Sequence, residues 1–168
     1  SYAMSLNSTA VQSTSYGFQS QAADANNIYL NNFLAANGSG YDFVAYIFAH
    51  NDGDGGFSST GDKDIIKCGK YSGNGSSNPG QEVDIGFEPQ FLLIKSLTGA
   101  SSSWVLWDNM RGVGGHGDYY FYANSTSAET DLEQYDINRV DFLSNGFALR
   151  DNDGDSNSSS RTYAYMAI

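Results

Sequence analysis

At 168 residues the chain is long enough to bury a real core within one compact domain. Its formal charge of −11, from 19 acidic against 8 basic residues, excludes the basic footprint that a nucleic-acid backbone or an anionic membrane surface requires. Aromatics at 14%, with 19 glycines and 2 prolines, exclude a disordered chain and describe aromatic strands set between small polar turns.

No apolar run approaches the ~20 residues that cross a bilayer, so membrane insertion is not expected. Cys68 stands alone, so no disulfide can close within the chain. With no basic-then-apolar leader visible at the N-terminus, that cysteine usage points to a cytoplasmically assembled particle or a bacterial product.

Residues 1–40 read as a polar extension rich in Ser, Asn and Ala, with a short helix or one strand between Asp24 and Ala36. Asn37-Gly38-Ser39-Gly40 is a turn. A β-sandwich module is expected over 41–168. Tyr41 to His50, YDFVAYIFAH, has the composition of a buried strand. Asn51 to Asp62 is a Gly/Asp/Ser loop, and Ile65 to Tyr71 forms the next strand. In Glu82 to Phe87, Val83, Ile85 and Phe87 alternate with Glu82, Asp84 and Gly86, which marks a strand with one wet face.

Phe91-Leu92-Leu93-Ile94 and Trp104-Val105-Leu106-Trp107, joined by the turn-forming Thr98 to Ser103, form the core hairpin. Tyr119 to Tyr122 is a short aromatic strand after a Gly-rich loop. Asn124 to Gln134 is a polar connection with room for one helical turn. Val140 to Leu143 and Phe147 to Arg150 pair across Ser144-Asn145-Gly146. Thr162 to Ile168 is the closing strand. The central hairpin, residues 43–48, 140–149 and 162–168 are expected to supply the inner rows of an all-β, antiparallel sandwich.

A partial repeat links the two ends. Asn7-Ser8-Thr9 matches Asn124-Ser125-Thr126, and Val44-Ala45-Tyr46 sits like Tyr163-Ala164-Tyr165. On that match residues 5–50 correspond to the back part of a preceding unit, and 65–168 to one complete unit. Tandem β modules of this kind occur in fibres.

The order FVAYIFAH, IIKCGKYSGNGS, VDIGFEPQFLLIKS, WVLWDNMRG, a YANST segment, FLSNGFALR and TYAYMAI resembles a module of bacteriophage tail-fibre and other virion proteins, of the marine-phage type. The resemblance covers about residues 41–168. It implies a jelly-roll or concanavalin-like sandwich, a virion or extracellular location and a non-enzymatic role. That role is recognition of a host-surface glycan, with a structural spacer as the rival reading and a polysaccharide-degrading enzyme as the third. It also implies a homo-oligomer, a trimer by analogy with fibres; the sequence offers no heptads to enforce one.

The residues supply candidates for such a role. Tyr119, Tyr120 and Tyr122 combine flat apolar area with hydroxyls beside the Gly loop that holds His116. Trp104 and Trp107, three apart, face opposite sides of an ideal strand. One then lies in the core-facing row and the other is free to stack on a sugar; Trp107 is counted with the ligand contacts, although core placement suits both. His116 with Asp118 is a candidate acid–base pair, but no triad signature accompanies it. Glu88 and Asp108 can be imagined as a glycosidase pair.

Asp151, Asp153 and Asp155 alternate in a loop that either closes on Ca²⁺ or stays solvated; its Gly and twelfth-position residues depart from an EF-hand. His50 to Asp54 is a similar loop. No cofactor beyond Ca²⁺ is implied. Five Asn-x-Ser/Thr triplets, at Asn7, Asn37, Asn74, Asn124 and Asn157, are explained by turn chemistry.

Overall fold

A computed structural model describes residues 2–14, 24, 27–31, 34–48, 59–60, 64–113, 118–132, 135 and 137–168. The fold is all-β, with antiparallel pairing throughout the described sheets and one four-residue helical turn. The strands are β1 (Tyr2–Ala3), β2 (Ser13–Thr14), β3 (Lys67–Ser72), β4 (Gln81–Asp84), β5 (Phe91–Ser96) and β6 (Trp104–Asp108). They continue with β7 (Tyr119–Tyr122), β8 (Thr130–Asp131), β9 (Val140–Leu143), β10 (Gly146–Leu149) and β11 (Thr162–Ala167), and the helical turn α1 is Leu34–Asn37. Among the described residues no helix is long and apolar enough to cross a membrane.

One sheet has the order β3-β11-β5-β6-β7-β8 and a second has the order β4-β10-β9. They meet face to face, because alternate residues of each strand are apolar. Leu92 and Ile94 of β5, Val105 and Trp107 of β6, and Tyr163 and Ala167 of β11 point to the same interior as Val140, Phe147 and Leu149. Phe147 of the small sheet meets Tyr71 and Tyr165 of the large one edge-on, at centroid distances of 6.0 and 5.3 Å. Each fully buried side chain of this size contributes about 1.5–3 kcal/mol. The expected core hairpin is present, with Phe91↔Asp108 and Lys95↔Trp104 at the ends of its register. Gly146 cannot carry a side chain, since a Cβ there would sit 2.0 Å from the Val83 carbonyl oxygen.

Two sequence expectations about the fold are corrected. Residues 41–48 form no strand and lie exposed, Val44 at 81% and Tyr46 at 84%, so 43–48 add nothing to the inner rows. The connection after Asn124 holds a short strand, β8, paired to β7.

The N-terminal segment lies over the outer face of β5 and β6. Lys95, on that face, is fully buried and donates from Nζ to the carbonyl oxygens of Thr9 (3.0 Å) and Ser102 (2.7 Å). The Ser102 amide also donates to Thr9 O (3.0 Å), and Trp104 Nε1 to Ser5 O (3.1 Å). The two tryptophans therefore do face opposite sides. Trp107 is core, and Trp104 is half covered by this segment.

Candidate functional site

Two of the tyrosines singled out by sequence, Tyr120 and Tyr122, belong with the alternating aspartates to one internal network. Tyr120 and Tyr122 share the inner face of β7, with their hydroxyls 3.5 Å apart. Tyr120 packs against Trp107 at 6.0 Å between centroids. Arg139, just before β9, enters between them and the aspartates. Its Cζ lies 5.2 Å from the Tyr120 ring centroid, its Nη1 3.1 Å from Asp153 Oδ2 and its Nε 3.4 Å from Asp151 Oδ2. The last pair lacks hydrogen-bond geometry on either atom.

The third aspartate is held by the hairpin turn, since Asp155 Oδ1 accepts the Ser103 amide at 2.8 Å. Burial pushes the Asp151 carboxyl up to about 6, against the pull of Arg139 and of the Ser156 hydroxyl. Burial raises Asp155 in the same direction, opposed by its bond from Ser103. The Tyr122 phenol is also raised, by burial and then by its bond with Tyr120. For Arg139, burial works against the charge, and Asp153 and Tyr120 outweigh it.

The acidic loop is therefore held in place by internal bonds, with Asn152 and Ser159 exposed on it. Ser156 and Asn157 are buried. Asn157 Nδ2 donates to Asp151 O (2.7 Å), Asn74 Oδ1 (3.0 Å) and Ser76 O (3.1 Å). Tyr71 Oη donates to Ser156 O at 2.6 Å. The counter-charge to Asp151 and Asp153 is the Arg139 guanidinium. Among the described residues no group of three or more His, Cys, Asp or Glu is placed to hold a metal ion.

Trp107 is fully buried, and its Nε1 has no acceptor, so it presents no face to a ligand. Tyr119 is half-buried on the opposite face of β7 from Tyr120. His116, like His50 to Asp54, lies outside the described residues. Asp118, proposed as the partner of His116, is buried and accepts the backbone amides of Arg139 and Val140 (the latter 2.8 Å) at Oδ2. It fixes the start of β9.

An open cleft of about 620 Å³ lies elsewhere, at the edge where β5 begins and β6 and β11 end. Its apolar lining is Ile65, Phe87, Phe91, Met110 and Ile168, and its polar lining includes Glu88, Gln90, Asp108 and Asn109. Backbone bonds build it rigidly. The amides of Gln90 (2.6 Å) and Phe91 (3.0 Å) donate to Ile168 O, and the Asn109 amide donates to Gln90 O (3.0 Å). Asp108 is anchored: Oδ1 accepts the amides of Met110 (3.1 Å) and Arg111 (3.2 Å), and Oδ2 pairs with Arg111 Nη2 at 2.6 Å. Glu88, Gln90 and Asn109 are exposed on the rim. The cleft can hold an apolar ring face on its floor while carboxylate and amide oxygens accept from hydroxyl groups. Glu88 and Asp108, paired in thought from the sequence, do line one cleft. Phe87, Phe91 and Ile168 read in sequence as strand residues, and nothing local shows that they meet Met110 in one cleft.

The chain belongs to a family described as a domain of unknown function (DUF7483), whose model matches residues 1–168. No curated protein matches it, and no solved structure does.

Proposed function

We propose that this member of the family is a non-enzymatic recognition module of a phage tail fibre or related virion protein. In this reading it binds an uncharged, hydroxyl-rich glycan of the host surface in the cleft between Phe87, Phe91 and Met110. The virion setting and the jelly-roll kinship come from the sequence resemblance. The cleft is the observation that supports ligand binding: an apolar floor rimmed by Glu88, Gln90 and Asn109 at a backbone-fixed sheet edge. The rim is acceptor-rich and the chain carries −11, so anionic polysaccharides are repelled. Asp108 is tied up by Arg111 and two amides, which suits a fixed wall better than a mobile acid or base.

The spacer reading rests on a different observation, the docking of residues 5–9 on the β5–β6 face, which suits end-to-end packing of units. Screening the chain against a panel of neutral and acidic glycans separates the readings. Binding to neutral members that weakens at least about tenfold in Glu88→Gln and Met110→Ala, without loss of melting temperature, is the expected result. No binding across the panel favours the spacer, and release of reducing ends from a polysaccharide revives the enzyme.

A further inference from the structure

The N-terminal segment reproduces part of the sandwich bond for bond. β1 and β2 pair with Tyr2↔Thr14 and Ala3↔Ser13, and β7 and β8 pair with Tyr119↔Asp131 and Tyr120↔Thr130. The spacing is the same, so Asn7-Ser8-Thr9 falls on Asn124-Ser125-Thr126. The intervening turns also agree. Ser8 N donates to Ser5 O (3.2 Å) as Ser125 N does to Tyr122 O (3.0 Å). Ala10 N donates to Ser8 Oγ (3.1 Å) as Ser127 N does to Ser125 Oγ (3.0 Å).

The likeness resumes further along. The helical turn Leu34–Asn37 leads to a turn ending on Gly40 at φ 81°, and the turn Gly154 to Asn157 leads to one ending on Ser160 at φ 66°. Asn37 and Asn157 hold the same place. With one residue more before it, Val44-Ala45-Tyr46 then follows where Tyr163-Ala164-Tyr165 stands in β11.

The environments of the two strands are opposite. β11 is paired on both sides, Tyr163 with Tyr71 and with Ser96, and Tyr163 and Ala167 are 0% exposed. Their counterparts Val44 and Phe48 are 81% and 50% exposed, and residues 41–48 pair with no strand among the described residues. Residues 43–48 line an apolar groove of about 440 Å³ with Ile28, Leu30 and Ala36.

We propose that residues 2–14 and 34–48 belong to the back half of a second copy of the 64–168 unit. Tyr41–Phe48 is then the unpaired equivalent of β11, and its occupant is the front half of that copy, joined ahead of Tyr2 in the same polypeptide. Two facts favour this occupant over a second chain. The strands that flank β11, β3 and β5, are already filled in the complete unit, so another copy of this chain offers no vacant slot of the right kind. The copy also already rests on the complete unit in head-to-tail sequence, with Ser5 O and Thr9 O on Trp104, Lys95 and Ser102. The corresponding loop of the complete unit, Ser125–Ser127, is solvent-exposed and available for the same docking on a following unit. The inference stands apart from the glycan reading, since the cleft at Phe87 and Met110 takes no part in it.

Hydrogen exchange of the full chain, alone and extended by its own residues 64–118 placed ahead of Tyr2, tests the proposal. In the monomeric parent, amides 43–48 should exchange as open backbone. In the extended chain they should slow by at least about 100-fold, as those of 162–167 do. Val44→Asp should leave the parent's melting temperature unchanged and abolish the new protection in the extended chain. A control extended chain carries Phe43→Thr, Val44→Tyr, Ile47→Met and Phe48→Ala, which restores the β11 sequence. Protection of 43–48 already present in the parent monomer overturns the proposal. Protection appearing only with a doubling of mass assigns the strand to a second chain and overturns it too. So does an extended chain in which 43–48 stay open, whether the control orders that strand or not.

Discussion

Replacing Arg139 with Met removes the cation that serves Asp151, Asp153 and Tyr120 together. The guanidinium and the Asp151 carboxylate are only 18% and 14% exposed, so a bare anion would be left in a poorly solvated place. Asp151 limits the damage by taking up a proton. With its carboxyl already at about 6 in the intact protein, protonation at pH 7 costs about 1.4 kcal/mol. Losing the Asp153 pair, 31% exposed on the acid side, adds about 0.5–1 kcal/mol, and losing the Tyr120 contact adds a similar amount. The expected destabilisation at pH 7 is about 2.5–3.5 kcal/mol, or roughly 5–14 °C in melting temperature for a chain of this size. At pH 5.5 Asp151 is largely protonated in the parent as well, so the deficit should shrink by about 1 kcal/mol. Asp151→Asn in the Arg139→Met background should recover a similar amount at pH 7, since an amide still accepts from Ser156 Oγ. Thermal melts of parent, single and double variants at both pH values decide it. A deficit independent of pH, with no recovery in the double variant, would refute the claim that Arg139 acts as counter-ion to a buried acid.

The parent itself should gain stability on mild acidification. The folded Asp151 carboxyl is raised above its ordinary 3.8, so between those values the native state binds more protons than the unfolded one, and stability rises as pH falls from 7 to 5; urea titrations should show a gain of about 1.3 kcal/mol. Millimolar Ca²⁺ added after chelation should leave the melting temperature unchanged, because Arg139 and backbone amides already serve the three aspartates; a rise of several degrees would show a cation site. Lys95→Met strands the Ser102 carbonyl and leaves Thr9 O with the Ser102 amide alone, costs about 1–3 kcal/mol and loosens the N-terminal segment, read as a red shift of Trp104 emission while buried Trp107 stays blue. Trp107→Ala should cost about 3–5 kcal/mol, as a core deletion does, in chemical denaturation.

The core was legible where pattern and turn chemistry agreed. Phe91 to Ile94 and Trp104 to Trp107 announce a hairpin through their apolar runs and the small residues between them, and Ser144-Asn145-Gly146 announces β9–β10. Period two also set Trp104 and Trp107 on opposite faces; which of them faced the core depended on the second sheet, which local sequence does not reveal. Tyr41 to Phe48 has the composition of a central strand, but a strand is made by its neighbours, and among the described residues none pairs with it. The alternating aspartates leave a cation loop and a solvated loop both open in sequence, because Arg139, the charge beside them, sits in a different stretch and reaches them only through the sandwich. The cleft joins residues near 64, 87–91, 108–110 and 168, four places with no shared motif.

Amide-resolved NMR of the labelled chain, titrated with a panel of neutral oligosaccharides, tests the functional account most directly. Binding at the cleft predicts saturable shifts confined to 87–91, 108–110 and Ile168, with no release of reducing ends. Shifts centred on Tyr119–Tyr122, or none with any member of the panel, would contradict it.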